Sequence, residues 1–201
     1  MVRRDLQLQA IPCPPNNTPQ ANSGQQIAYS VDAGDLLCFD LDFLDIDGDT
    51  LNLTAAGLIF DPLVTVPTAT IGAPVLGVGS VSTQFCWDTD CAQGQDQPYL
   101  FSVSVTDNGC PPKTIDAVIS VTVVPFLGPQ QVLGPQQVCT GQTGSSYTVD
   151  PIAGATFTWN VSGGVVTSGG TGNTITVDWG TPGTGTISVF ATNGLGCVSV
   201  P

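Results

Sequence analysis

Two runs of alternating side chains, separated by a short polar turn, constrain the fold of this chain more than any other feature. Residues 99–106 alternate aromatic and β-branched side chains with mostly polar ones, and residues 115–123 repeat that alternation. The turn between them begins with Asp107-Asn108-Gly109, three residues that favour tight turns. A period of two residues is typical of a strand with one buried face. The two runs therefore predict the closing hairpin of a β-sandwich domain.

The composition extends this prediction to the whole chain. All 16 acidic residues are aspartate, histidine is absent, and the chain contains 24 glycines and 16 prolines. Aspartate, glycine and proline favour turns over helices, and no window of ten or more residues has a helical period. The predicted fold class is all-β, with two tandem Ig-like β-sandwich domains.

The predicted domain organisation follows the distribution of strands and turns. A segment rich in proline, asparagine and glutamine opens the chain, and the sequence L-G-P-Q-Q-V occurs twice in succession between two strand-rich parts. We expect an extended lead-in at 1–23, a first sandwich at 24–125, a linker at 126–138 and a second sandwich at 139–201.

Charge and cysteine usage limit the partners and the compartment. The net charge is -13 with three basic residues, which argues against nucleic acid as a partner, because binding its phosphates needs clustered lysine and arginine. We also expect no direct insertion into a membrane. Seven cysteines suit an oxidising compartment, so the predicted location is extracellular or at the cell surface. Because no secretory leader pattern is visible, we expect a processed piece or a segment of a longer secreted protein.

The residue inventory argues against catalysis. Without histidine the chain has no Ser-His or Cys-His pair, so we predict that it is not an enzyme. Trp87, Trp159 and Trp179 lie in alternating stretches, which favours core packing over a sugar-stacking role.

An acidic cluster is the strongest candidate site. Five carboxylates fall within residues 40–49, and the last three form a D-I-D-G-D loop between two predicted strands. Alternate side chains of an extended loop point the same way and can converge on one hard cation. The sequence predicts a calcium site here, with a solvated acidic turn as the alternative. Its candidate ligands are Asp40, Asp42, Asp45, Asp47 and Asp49.

Several motifs of the first sandwich resemble those of cadherin-like domains. They are D-x-D-G-D-x-L at 45–51, F-x-W-x-x-x-C at 85–91 and Y-x-F-x-V-x-V-x-D-N-G-C-P at 99–111. The spacing is similar to that in very large surface adhesins of gliding, type IX-secreting Bacteroidetes. The resemblance covers residues 24–125 and implies two further features: Asp107 as an additional calcium ligand and a pairing of Cys91 with Cys110.

The second sandwich resembles PKD-like domains of the same surface proteins. The matching motifs are V-C-x-G at 138–141, G-A-T-x-x-W-N-V-x-G-G at 154–164, I-x-V-D-W-G at 175–180 and N-x-x-G-C at 193–197. Ordinary PKD domains carry an acidic, glycine-flanked motif after the tryptophan, whereas Asn160-Val161-Ser162-Gly163 stands there in this chain.

The remaining cysteines suggest two more disulfides. Cys139 and Cys197 are the only cysteines of the predicted second sandwich, so we expect them to pair. Cys38 and Cys86 lie opposite the core-facing residues of their strands, as a cross-strand pair would. Cys13 is left over, either free or bridged to a part of the protein outside this chain, and other pairings among the first five cysteines stay open.

These features predict a non-catalytic, structural or adhesive segment of an extracellular surface protein, stiffened by calcium and disulfides. The expected partners are other surface-protein domains or copies of the same chain, the latter as subunits of a filament. The alternative is a carbohydrate-binding accessory module of a secreted hydrolase, for which glycans would be the partners.

Overall fold

The computed structural model describes residues 12–72 and 74–199 of the chain. Residues 1–11 of the predicted lead-in and residues 200–201 of the predicted second sandwich lie outside this range. The described part is all-β, as predicted, with two single-turn 3-10 helices at Leu58–Phe60 and Cys91–Gln93. Neither of these helices, nor any other in the described part, has the length and apolarity that a membrane-crossing helix needs.

The strands follow one another along the chain with short connections. In chain order they are β1 Gln20–Ala21, β2 Ala28–Asp32, β3 Leu36–Leu44, β4 Thr50–Ala56, β5 Thr70–Ile71, β6 Val75–Val78, β7 Ser80–Asp88, β8 Tyr99–Thr106, β9 Thr114–Val124, β10 Ser145–Thr148, β11 Thr156–Ser162, β12 Gly164–Ser168, β13 Thr174–Trp179 and β14 Thr186–Thr192.

The chain divides into two compact units. One unit consists of Met1–Ala28, Cys38–Cys86 and Leu100–Ser120, and the other of Tyr29–Leu37, Trp87–Tyr99 and Val121–Pro201. The boundaries predicted from the sequence at 24–125 and 139–201 stay a prediction.

Strands β1 to β9 form two sheets. One has the order β1-β3-β7-β5 and the other the order β2-β9-β8-β4-β6. Their side chains alternate between buried and exposed, most clearly in β7, where every second residue is buried. This alternation is the expected pattern of sheets that share a core on one face.

Aromatic rings fill the centre of the core of the first unit. The ring of Phe85 stacks on that of Phe101 with centroids 5.0 Å apart, and Phe39 stacks on Phe85 at 4.6 Å. Phe60 meets Phe101 edge-on at 5.4 Å. Phe85 therefore has aromatic neighbours on both faces, and its side chain is completely buried.

Strands β10 to β14 lie in the second unit and form two small sheets. Their orders are β10-β13-β12 and β11-β14. One buried cluster contains Tyr147, Ile175 and Val177, and a second contains Val149, Phe157 and Ala191. Val132, from the predicted linker, packs against both clusters, so part of that segment contributes to this core.

Three disulfides connect the described cysteines, and two of the predicted pairings are wrong. Cys38 pairs with Cys86, as predicted. Cys197, however, pairs with Cys91 and not with Cys139, whereas Cys110 pairs with Cys13. Cys139 is a free, exposed thiol.

The physical reason lies in contacts between residues far apart in sequence. The Cys197 amide donates to Asn193 Oδ1 at 2.8 Å, which fixes the turn after β14. Asp90 caps the 3-10 turn at Cys91–Gln93 and sets the position of Cys91. The prediction assumed that cysteines pair within their own segment of the sequence. The observed pairs span 97 and 106 residues, a separation that local patterns do not reveal.

Truncation of Phe85 tests the packing of the first core. We expect Phe85→Ala to lower the free energy of unfolding by about 3–5 kcal/mol, because it leaves a cavity between stacked rings. Leu63→Ala, at a side chain that is 92% exposed, is the control and should change it by less than about 0.5 kcal/mol. Chemical denaturation followed by tryptophan fluorescence measures both. Equal effects of the two substitutions would contradict this description of the core.

Thiol labelling tests the corrected disulfides. We expect the oxidised, denatured protein to react with one equivalent of a maleimide, and non-reducing peptide mapping to place the label on Cys139. Cys139→Ser should abolish the reaction. A label on Cys91 or Cys197 would contradict the observed pairing.

Candidate metal centre

Three carboxylates converge in the loop between β3 and β4. One oxygen from each of Asp45, Asp47 and Asp49 lies within 4.8 Å of the others. Asp45 is buried, Asp47 is exposed and Asp49 is half-buried, so the cluster runs from the protein interior to solvent. The structure thus brings together three of the residues that the sequence analysis proposed as ligands.

The loop owes its shape to Asp45. Its Oδ1 accepts hydrogen bonds from the amides of Asp47 at 2.8 Å and Asp49 at 3.3 Å, an arrangement that folds the chain around the carboxylate. Gly48 has a φ of 80°, a left-handed conformation that glycine adopts without strain. Backbone hydrogen bonds with Gly79 fix both ends of the loop: the Asp45 amide donates to the Gly79 carbonyl, and the Gly79 amide donates to the Asp49 carbonyl.

Asp107 organises the turn after β8 in a similar way. Its Oδ1 accepts from the amides of Gly109 at 3.0 Å and Lys113 at 2.9 Å, and from Asn16 Nδ2 at 3.1 Å. Asn108 connects this turn to the first loop, because its Oδ1 accepts from the Thr50 amide at 2.8 Å. Asp107 therefore lies in a turn that is tied to the carboxylate loop.

The electrostatics differ between Asp49 and Asp107. Burial, followed by repulsion from the carboxylates of Asp45, Asp107 and Asp47, raises the pKa of Asp49. Burial would also raise the pKa of Asp107, but the hydrogen bonds from Lys113, Asn16 and Gly109, together with the Lys113 charge, lower it overall. The raised pKa of Asp49 identifies a position where negative charge accumulates.

Two buried carboxylate oxygens of this region lack a hydrogen-bond donor within the described residues. They are Oδ2 of Asp45 and Oδ2 of Asp107, whose side chains are 7% and 3% exposed. A buried anionic oxygen without a partner is costly, and proteins normally compensate it with a donor or a metal ion. These oxygens are an observation independent of the acidic cluster, and both belong to residues predicted as ligands.

The donor set is suited to a hard cation. Calcium takes six to eight oxygen ligands in flexible geometries, with carboxylates that bind through one or both oxygens. The cluster offers carboxylate oxygens from three aspartates of one loop and neither nitrogen nor sulfur from its members. The residues present therefore fit calcium better than zinc or copper.

Asp40 and Asp42 do not join this cluster. Both lie within β3, before the loop begins, and the side chain of Asp40 is exposed and accepts from Gln84 Nε2 at 3.4 Å. A strand advances about 3.3 Å per residue, which carries both positions away from Asp45. The density of aspartates in the sequence suggested a larger ligand set than the strand geometry permits.

The sequence analysis missed Asn16 and Asn17, which the structure brings to the same place. Asn17 donates to the Asp47 carboxylate from its backbone amide and, at 2.8 Å, from its side chain. They arrive through the disulfide that joins Cys13, before Asn16, to Cys110, after Asn108, and no local signal in the sequence predicts this pairing.

A cavity in the second unit has a different character. It encloses about 820 Å³ and is lined by Tyr147, Trp179 and a loop rich in glycine and threonine. No aspartate, lysine or arginine is among the residues that line it. Among the described residues, every aromatic side chain is buried or half-buried.

Comparison with known proteins identifies a PKD-like domain. Residues 125–200 match the family model described as a PKD-like domain, which agrees with the prediction for the second part of the chain. No curated protein matches the sequence.

Several solved structures of Ig-like or cadherin-like type are distantly similar. Titin domains z1z2, in complex with telethonin, share 15% identity over 92% of this chain and 94% of that chain, with a TM-score of 0.41. Cadherin-like domains 1 to 4 of zebrafish RET share 12% identity with this chain, and the match covers 92% of this chain and 50% of that chain (TM-score 0.39). The sialic acid binding region of a Streptococcus sanguinis adhesin shares 10% identity over 92% and 76% of the two chains (TM-score 0.42).

Neutralising Asp49 and Asp107 tests the charge distribution of the site. The pKa of Asp49 is raised above the value of 3.8 that it has in the unfolded chain. The stabilisation by its protonated form is therefore complete below pH 3.8 and is lost as the pH rises, so the ionised form is unfavourable at pH 7. In the presence of a chelator, we expect the melting temperature of Asp49→Asn to equal or exceed that of the wild-type protein.

Asp107→Asn should behave in the opposite way under the same conditions. The lowered pKa of Asp107 means that its ionised form stabilises the fold above pH 3.8, through hydrogen bonds to a charged oxygen. We expect a loss on the order of 1 kcal/mol, measured by thermal and chemical denaturation at pH 7. A destabilised Asp49→Asn together with an unchanged Asp107→Asn would contradict this assignment.

Proposed function

We propose that this chain is a non-catalytic structural or adhesive segment of an extracellular surface protein, stiffened by bound calcium and by disulfides. A PKD-like match over residues 125–200, an all-β fold and three disulfides support the general class. Disulfides persist in oxidising compartments, which supports the extracellular location. The context of a large Bacteroidetes surface adhesin is part of this proposal and rests on the motif resemblance.

The observation that carries the calcium part is the pair of buried carboxylate oxygens without donors. Asp45 Oδ2 and Asp107 Oδ2 belong to two different turns that Asn108 connects. A single cation between the turns would satisfy both oxygens and offset the repulsion that raises the pKa of Asp49. Asp47 and Asp49 would complete the carboxylate ligands from the solvent side.

Calcium would stiffen the segment by cross-linking turns that are distant in sequence. The loop after β3 and the turn after β8 would share one ion, so neither could open without losing ligands. Because an ion that binds only the folded state shifts the folding equilibrium by mass action, binding and stiffness are coupled. This combination suits a spacer that has to keep its shape outside the cell.

The partners in this proposal are neighbouring surface-protein domains or further copies of the chain. Strand β6, at the edge of its sheet, exposes Leu76 and Val78, and an exposed apolar edge strand is a surface on which another chain can pair. A filament of repeated copies is the more specific form of this proposal.

The alternative, a carbohydrate-binding module, has less support. A flat sugar-binding face needs solvent-exposed aromatic rings, and the large apolar side chains that are exposed in the described part are all isoleucine, leucine or valine. Trp87 is completely buried, and the indole Nε1 of Trp179 donates to the Tyr147 hydroxyl at 3.1 Å. These tryptophans have structural partners.

A thermal melt with and without calcium tests the proposal. We expect calcium at a hundredfold excess over its dissociation constant to raise the melting temperature of the wild-type protein by roughly 5–10 °C over that in chelator. Asp47→Asn should lose most of this rise, because it removes a carboxylate ligand while leaving the loop hydrogen bonds of Asp45 in place.

Asp40→Asn is the matched control, since it removes the same charge from the neighbouring strand outside the cluster. We expect it to retain the full calcium-dependent rise. Magnesium at the same concentration should have a smaller effect, because Mg²⁺ demands regular octahedral geometry and retains water. If calcium does not raise the melting temperature of the wild-type protein, the calcium proposal is wrong.

A further inference from the structure

The side chain of Asn16, in the segment that precedes the first strand, contacts Asp107, one of the proposed ligands. Its Nδ2 donates to Asp107 Oδ1 at 3.1 Å and to the Pro111 carbonyl at 2.8 Å. Its Oδ1, by contrast, is buried and has no hydrogen-bond donor within the described residues. It is the third oxygen of this kind beside Asp45 Oδ2 and Asp107 Oδ2, and an amide oxygen is a ligand that calcium accepts.

The amide of Asn16 lies directly on the backbone of Gly109. A Cβ at position 109 would overlap the Asn16 amide, so the glycine leaves the space that this amide occupies. Gly109 follows Asp107 by two residues and donates to its carboxylate. The position of the asparagine side chain is therefore built into the turn that carries Asp107.

The Cys13–Cys110 disulfide fastens this segment to the turn. Cys13 precedes Asn16 by three residues, and Cys110 follows Gly109 directly. Polar contacts reinforce the attachment, since Lys113 Nζ donates to the Asn16 carbonyl and Asn17 donates to Asp47. Without the disulfide these polar contacts alone would have to order the segment, at a cost in conformational entropy.

We propose that Asn16 is a ligand of the cation site and that the Cys13–Cys110 disulfide positions it, so that loss of this cross-link weakens cation binding. The proposal rests on the calcium site of the proposed function. It adds that the segment before β1 is part of the site, and that the disulfide and the ion stabilise the same arrangement. Because such coupling is reciprocal, a bound ion would in turn hold the segment in place.

Calorimetric titration of the full chain with calcium alone tests the proposal. We expect Cys13→Ser/Cys110→Ser to weaken calcium binding by about tenfold, because the segment must then be ordered on binding. Cys38→Ser/Cys86→Ser is the matched control, since it removes a disulfide between β3 and β7, outside the loop and the turn that carry the proposed ligands. It should bind within about twofold of wild type once folding is verified by circular dichroism.

Gly109→Ala provides a second test that keeps every disulfide. The added methyl group should displace the Asn16 amide and weaken calcium binding by a similar factor. Gly24→Ala, at a glycine with open space around its Cβ position, is its control and should bind like wild type. If the cysteine variant fails to fold, the comparison of these two glycine variants decides.

The outcomes separate this inference from the proposed function. If the wild-type protein does not bind calcium, both proposals fail. If the wild type binds and both Cys13→Ser/Cys110→Ser and Gly109→Ala bind equally well, the calcium site stands and the role of Asn16 and its disulfide is overturned.

Discussion

Buried negative charge is the constraint on which the two turns at this end of the first unit depend. Asp45 and Asp107 are almost completely buried, and each uses one carboxylate oxygen to organise its own turn through backbone amides. The second oxygen of each carboxylate remains to be compensated. Desolvated charge of one sign is tolerated only with a counter-charge or a full set of donors, and this requirement connects the local structure to the proposed ion.

The sandwich beneath supplies the rigid base that such a site needs. Stacked rings around Phe85 hold the core of the first unit, and strands β4 and β8 pair directly, so the loop before β4 and the turn after β8 start from adjacent strands. Sites whose residues project from paired strands keep their geometry better than sites on free loops. The disulfides add covalent constraints to this arrangement, and that combination suits a stiff extracellular spacer.

Local periodicity explains what the sequence could predict. The alternation in residues 99–106 corresponds to β8 at Tyr99–Thr106, and the D-I-D-G-D motif placed three carboxylates in one loop, because both depend on neighbours in the chain. The partners of Cys91 and Cys110, and the arrival of Asn16 beside Asp107, depend on segments about a hundred residues apart. No local pattern encodes such contacts, so pairing by proximity in sequence was wrong for Cys139.

A crystal structure of the oxidised protein grown with calcium is the most direct test of the central claim, that buried carboxylate oxygens from two turns share one ion. The account predicts a single calcium within about 2.3–2.6 Å of Asp45 Oδ2 and Asp107 Oδ2, with further ligands from Asp47 and Asp49. A structure at saturating calcium in which both oxygens bind water molecules or donors, and no ion lies between them, would contradict it.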